Sequence, residues 1–104
     1  PMAPRKIDDV IECVRYVPDG RIDVVRVYER RGDTFTDVLL LDRAALLSRL
    51  RNNQRVVVGK RQIQLASTFE IISEVRLGRS TGREMIVAGD AADDRDDLDG
   101  APLF

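Results

Sequence analysis

The residues best suited to chemistry in this chain are cations set beside glycine. Arg30-Arg31-Gly32, Gly59-Lys60-Arg61 and Gly78-Arg79 with Gly82-Arg83 each place basic side chains at an expected turn. Such side chains are exposed and suit contacts to phosphate oxygens. Ordinary solubilising turn charge would give the same pattern. Of the aromatic residues Tyr16, Tyr28, Phe35 and Phe69, Tyr16 is the one expected at the surface, where it can stack on a base. The nucleic-acid-binding set read from the sequence is therefore Arg30, Arg31, Lys60, Arg61, Arg79, Arg83 and Tyr16.

Catalysis finds little to work with. The chain has no His, which removes the commonest general base and a common metal ligand. Cys13 is the single cysteine; it falls on an expected strand and reads as a buried thiol rather than a nucleophile. Glu12 and Asp37 are expected to flank Arg26 as an ionic row, not to act as an acid–base pair. Gly59-Lys60 lacks the preceding glycine of a phosphate-binding loop. Arg31-Gly32-Asp33 matches the integrin tripeptide, at a length that chance supplies. The aspartates of residues 90–104 lack the glycine and bidentate glutamate of a calcium loop. The expectation is a protein that is not an enzyme and holds neither metal nor cofactor.

The 104 residues suit one domain, and 43% hydrophobic residues suffice for a modest core. The net charge of −1 hides an asymmetry. Residues 1–89 carry 16 Lys and Arg against 12 Asp and Glu; residues 90–104 carry one Arg against six Asp. A basic body with an acidic tail points to a polyanion partner, or to a tail that competes for the basic surface. No apolar run of membrane-spanning length and no signal peptide is present, so a cytoplasmic protein with no membrane partner is expected.

These side chains need a scaffold, and the clearest part of it is Val10 to Arg30. Pro18-Asp19-Gly20 reads as a three-residue hairpin turn, with Gly20 supplying positive φ. It sets Val17 opposite Arg21, Arg15 opposite Asp23, Val14 opposite Val24, Cys13 opposite Val25, Glu12 opposite Arg26, Ile11 opposite Val27 and Val10 opposite Tyr28. A third strand over about 33–41 would place Phe35 against Tyr28, Asp37 against Arg26 and Val38 against Val25. Both sheet faces then come out largely apolar. Residues 42–53, DRAALLSRLRNN, read as a helix capped by Asp42, with Leu46, Leu47 and Leu50 on its buried stripe and Asn52-Asn53 at its end. QRVVVGKRQIQL reads as a second hairpin, strands about 54–58 and 61–65 around Gly59-Lys60. TFEIISEVRL alternates as a strand, although Ser67 to Glu70 also fits a helix capping box. EMIVAG fits a last strand.

The C-terminal GDAADDRDDLDGAPLF resembles the tip of bacterial single-stranded-DNA-binding proteins, an acidic linker ending in an apolar residue, usually Phe. The resemblance implies partner docking by Phe104, with Leu103 as a secondary contact and Asp93, Asp94, Asp96, Asp97 and Asp99 as steering charges. It covers about 15 residues and departs from that pattern: Gly100-Ala101 follows the acidic run, and Leu103 separates Pro102 from Phe104.

The reading is a mainly β protein with one helix, a small antiparallel barrel of OB-like order β-β-β-α-β-β(-β). An SH3-like barrel or an open α+β sheet answers to the same pattern. Residues 1–89 form the domain and 90–104 a disordered acidic tail. The expected function is a non-catalytic module binding single-stranded nucleic acid, with the tail docking a protein partner or acting in autoinhibition. The alternative is a protein-interaction or homo-oligomeric structural subunit, such as a homodimer, that uses an apolar sheet face.

Overall fold

The computed structural model describes residues 7–31, 34–61, 69–80, 83–89, 91, 95–98 and 101–103. Its elements follow the order β1 (Asp9–Tyr16), β2 (Ile22–Arg31), β3 (Thr34–Asp42), α1 (Arg43–Arg51), β4 (Val56–Arg61), β5 (Phe69–Ser80) and β6 (Arg83–Ala88). The strands form one sheet in the order β3-β2-β1-β4-β5-β6. Five neighbouring pairs can be traced; all are antiparallel except β1–β4, which is parallel. The expected barrel does not close, because β3 and β6 lie at opposite ends of the sheet. The α1 crossover explains the parallel pair: it returns the chain to the far side of β1 in the direction in which β1 runs.

The hairpin turn forms for the reasons its residues suggest. Gly20 takes φ +95, its N–H donates to the Val17 carbonyl, and Val17 donates to the Arg21 carbonyl. Asp19 accepts from the Arg21 amide. The ladder begins in the expected register at Val10–Tyr28 and Ile11–Val27, but then slips by one residue, to Cys13–Arg26, Val14–Val25 and Arg15–Val24. Two bulges cause this, with Glu12 the extra residue in β1 and Asp23 the extra residue in β2. The core supplies the reason. Strict alternation would send Val14 and Tyr16 to the face opposite Ile11. The bulges instead bring Ile11, Val14 and Tyr16, with Ile22, Val25 and Val27, into one core. The Arg15–Asp23 ion pair survives at 3.0 Å and Arg26–Glu12 at 3.6 Å, since long side chains span a one-residue slip.

The β2–β3 register differs more. Tyr28 faces Val38, Arg26 faces Leu40 and Val25 faces Leu41, three residues from the expected partners. A bulge between Glu29 and Arg30 contributes. Leu39 and Leu41 thereby pack on the main core, while Val38 and Leu40 stand exposed on the other face. That second face carries a small cluster of Val10, Tyr28, Val57 and Ile7.

Helix α1 matches its reading. Asp42 accepts from the Ala45 amide at 2.8 Å, Asn53 adopts φ 62 at the C-terminal end, and Leu46, Leu47 and Leu50 are buried against the sheet. The second hairpin is corrected: Gly59 and Lys60 lie inside β4, which pairs with β5 rather than turning back after Val58. Gly59 reads as a turn residue but is buried in the ladder. The expected strand at 61–65 falls mostly outside the described residues. β5 is a strand, not the capping-box helix, but its alternation is broken: Ile72 is the extra residue of a bulge opposite Val58 and Gly59, and Ile71 and Ile72 are both exposed. No helix among the described residues is long and apolar enough to cross a membrane.

The largest departure concerns the acidic tail. Its described residues are packed onto the body. Asp97 joins the edge of β6, donating to the Ile86 carbonyl and accepting from the Ala88 amide. Leu98 is 2% exposed within the main core. The Pro102 carbonyl accepts from the Val14 amide, on the stretch of β1 beyond its three-residue pairing with β4. Residues 95–98 and 101–103, the strap, thus contact β6 and β1. Leu98→Ala should lower the unfolding free energy by about 3 kcal/mol in urea denaturation; an unchanged midpoint would mean that the strap is not part of the core.

Candidate functional site

A cleft of about 670 Å³ opens where the β1–β2 turn, α1, β6 and the strap meet. Arg21, Arg43, Arg51, Arg83 and Arg95 line it, together with the carboxylates of Asp19, Glu84 and Asp96 and the apolar side chains of Leu47 and Met85. Five guanidinium groups therefore face three carboxylates.

Asp96 ties the walls together. Its side chain is fully buried beside Arg43. Oδ2 accepts from the Ile22 amide at 2.9 Å and from Arg43 Nε at 2.7 Å. Oδ1 accepts from the Ile86 amide at 3.0 Å and from Arg43 Nη2 at 3.1 Å. One carboxylate thus satisfies the start of β2, the middle of β6 and the first residue of α1. The fork of Arg43 fits because a guanidinium donates two parallel bonds to a carboxylate. Its Nη2 also donates to the Glu84 carbonyl at 2.7 Å. Burial acts to raise the Asp96 carboxyl, but Arg43 and the Ile86 and Ile22 amides together hold it below the ordinary aspartate value.

Two further pairs complete the walls. Asp19 binds Arg21 at 2.9 Å, and Glu84 accepts from Arg51. The Arg21 amide lowers Asp19, and the Arg51 guanidinium lowers Glu84. All three carboxylates of the cleft are therefore ionised at neutral pH. Arg83 and Arg95 remain exposed, and among the described residues neither has an ion-pair partner. A smaller recess of about 250 Å³ adjoins the cleft, lined by Tyr16, Gly20, Arg95, Asp96 and Asp97.

Comparison with protein-family models, curated proteins and solved structures returns no match. The chemistry of the cleft is therefore the ground for a functional reading.

The residues read from the sequence do not converge on one site. Arg83 lines the cleft, and Arg79 lies beside it, paired across the ladder with Glu84. Tyr16 is half-buried rather than freely exposed: its hydroxyl accepts from the Leu98 amide at 2.9 Å, which leaves it bordering the smaller recess. Arg30 sits at the other end of the β1–β2 ladder, 3.7 Å from Asp8. Arg31 ends β2, and its side chain lies outside the described residues. Lys60 is exposed on β4 opposite Glu70; the Arg61 side chain is not among those described. Leu103 is 72% exposed, with its backbone bridged to Val14, and Phe104 lies outside the described residues. Cys13 is buried, and burial raises its thiol, so little thiolate forms at neutral pH.

Arg21, Arg43, Arg51 and Arg95 were not in the expected set. Gly20-Arg21 sets a cation beside glycine just as the other basic turns do. Arg43 and Arg51 lie off the apolar stripe of α1, where they read as solvated charge. Arg95 is the one cation within the acidic run.

Asp96→Asn should cost about 3 kcal/mol at neutral pH, because a half-buried guanidinium loses its counter-ion. A carboxyl held lower in the folded than in the unfolded state adds stability above the ordinary aspartate value, and that contribution is lost as pH falls through the folded value. Urea titrations should therefore show the two proteins converging as the pH drops below about 4. A constant gap across that range would assign the loss to packing instead. Asp9, also buried, behaves oppositely: burial outweighs Arg49 and raises its carboxyl.

Proposed function

We propose that the protein is a small non-catalytic module that binds single-stranded nucleic acid, with the arginine-lined cleft as its phosphate site. One observation carries this reading. Five guanidinium groups from four chain segments line one concavity, and the exposed pair Arg83 and Arg95 is not neutralised by any described carboxylate. Arginine is the residue that binds phosphate oxygens in a bidentate manner. The apolar patch of Leu47 and Met85 and the neighbouring Tyr16 recess offer sugar and base contacts beside the phosphate. The acidic strap enters as a competitor for the same cations, since Asp96 already neutralises Arg43.

A labelled single-stranded oligonucleotide should bind in fluorescence anisotropy at low salt, with affinity falling linearly on a log–log plot. Arg83→Glu or Arg95→Glu should weaken binding by about tenfold or more and reduce the salt slope by about one. Arg30→Gln, remote from the cleft, should change it little. No binding by the intact chain at low salt would end the reading.

A second reading, a homodimer, has its own observation. Val38 and Leu40 are 45% and 66% exposed on the terminal strand β3, and an unprotected apolar edge invites a second chain. Light scattering should then give a dimer mass that Leu40→Glu converts to the monomer; a monomer mass for the unaltered chain would remove this reading.

A further inference from the structure

We infer, on the basis of the nucleic-acid reading, that the cleft takes the terminal phosphomonoester of a strand rather than an internal phosphodiester. The charge distribution carries this. Arg21, Arg43 and Arg51 are each matched by one carboxylate, from Asp19, Asp96 and Glu84. Of the cleft's cations, Arg83 on β6 and Arg95 on the strap are the two with no ion pair among the described residues. A terminal phosphate carries about −1.5 to −2 charges at neutral pH, and it matches that pair. An internal phosphodiester carries a single charge. A strand threaded through the cleft would also bring further phosphates past Arg21, Arg43 and Arg51, whose charges Asp19, Asp96 and Glu84 already neutralise. A strand end presents one phosphate and leaves by the way it came.

The composition makes the idea sharply testable. The chain has no His. The three cleft carboxylates are held low, by the Arg21 amide at Asp19, the Arg51 guanidinium at Glu84, and Arg43 with two amides at Asp96. Guanidinium groups stay protonated throughout. Between about pH 5 and pH 7.5 the cleft therefore keeps its charge, while a phosphomonoester gains its second charge near pH 6. A binding change that follows the second phosphate ionisation near pH 6 therefore belongs to the ligand and not to a cleft side chain.

The experiment compares oligonucleotides of one sequence, fluorescently labelled internally, with a 5′-phosphate, a 3′-phosphate or hydroxyls at both ends, and uses a nucleoside monophosphate as competitor. At about pH 7.5 one phosphorylated end should bind on the order of tenfold tighter than the hydroxyl form. That advantage should shrink as the pH falls through about 6, and it should vanish in Arg83→Gln and Arg95→Gln, both exposed positions. Equal affinity for all three oligonucleotides would overturn the inference while leaving nucleic-acid binding intact. No binding by any of them at low salt would remove both. A nucleoside monophosphate that binds as tightly as the phosphorylated strand would overturn the assignment to a strand end, making the cleft a site for the free phosphomonoester.

Discussion

The fold depends on a carboxylate buried where composition argues for solvated charge. Asp96 lies in the most acidic stretch of the chain, yet it is 4% exposed and accepts from Ile22, Arg43 and Ile86. These donors are separated from it by 74, 53 and 10 residues. Among the described hydrogen bonds, no other side chain accepts from the first hairpin, the helix and the last strand together. Such a contact is asymmetric in its energetics. The intact, fully hydrogen-bonded pair contributes modestly, because both partners were removed from water. Removing the carboxylate leaves a half-buried guanidinium and two amides without partners, which costs far more.

The cleft follows from that contact. By taking up Arg43, Asp96 neutralises the innermost guanidinium and fixes the neighbouring Arg95 on the rim. Leu98, two residues on, anchors the strap in the core, and the Tyr16 hydroxyl holds its amide. Scaffold and site therefore share residues. The strap that supplies one of the two cleft cations unmatched among the described residues also closes the sheet edge at β6. This explains how an open sheet of modest core forms a concave basic surface without a barrel.

Much of the scaffold was legible in the sequence. Pro18-Asp19-Gly20, the Asp42 cap, the Leu46, Leu47 and Leu50 stripe and the β-branched run of β5 are local signals, and each formed the element that local chemistry dictates. The bulges at Glu12 and Asp23 were not legible, because Arg15–Asp23 and Glu12–Arg26 are satisfied in either register. Only the packing of Val14 and Tyr16 chooses between them. Gly59 misled for a related reason: glycine marks a turn, but it also suits a buried strand position beside a bulge. The strap was the least visible element. Composition counts an aspartate as a charge to be solvated, whereas Asp96 serves as an acceptor for donors that lie far away in sequence. The cleft suffered the same blindness, since its arginines come from four separate segments and meet only in the fold.

The claim that Asp96 joins strap, helix and sheet is tested most directly by amide hydrogen exchange at Ile22 and Ile86, followed by NMR. The account predicts that both amides are strongly protected in the native protein, and that both lose protection together in Asp96→Ala while Val10 and Ile11 in the centre of the sheet keep theirs. Rapid exchange of Ile22 and Ile86 in the unaltered protein, or protection untouched by the substitution, would contradict it.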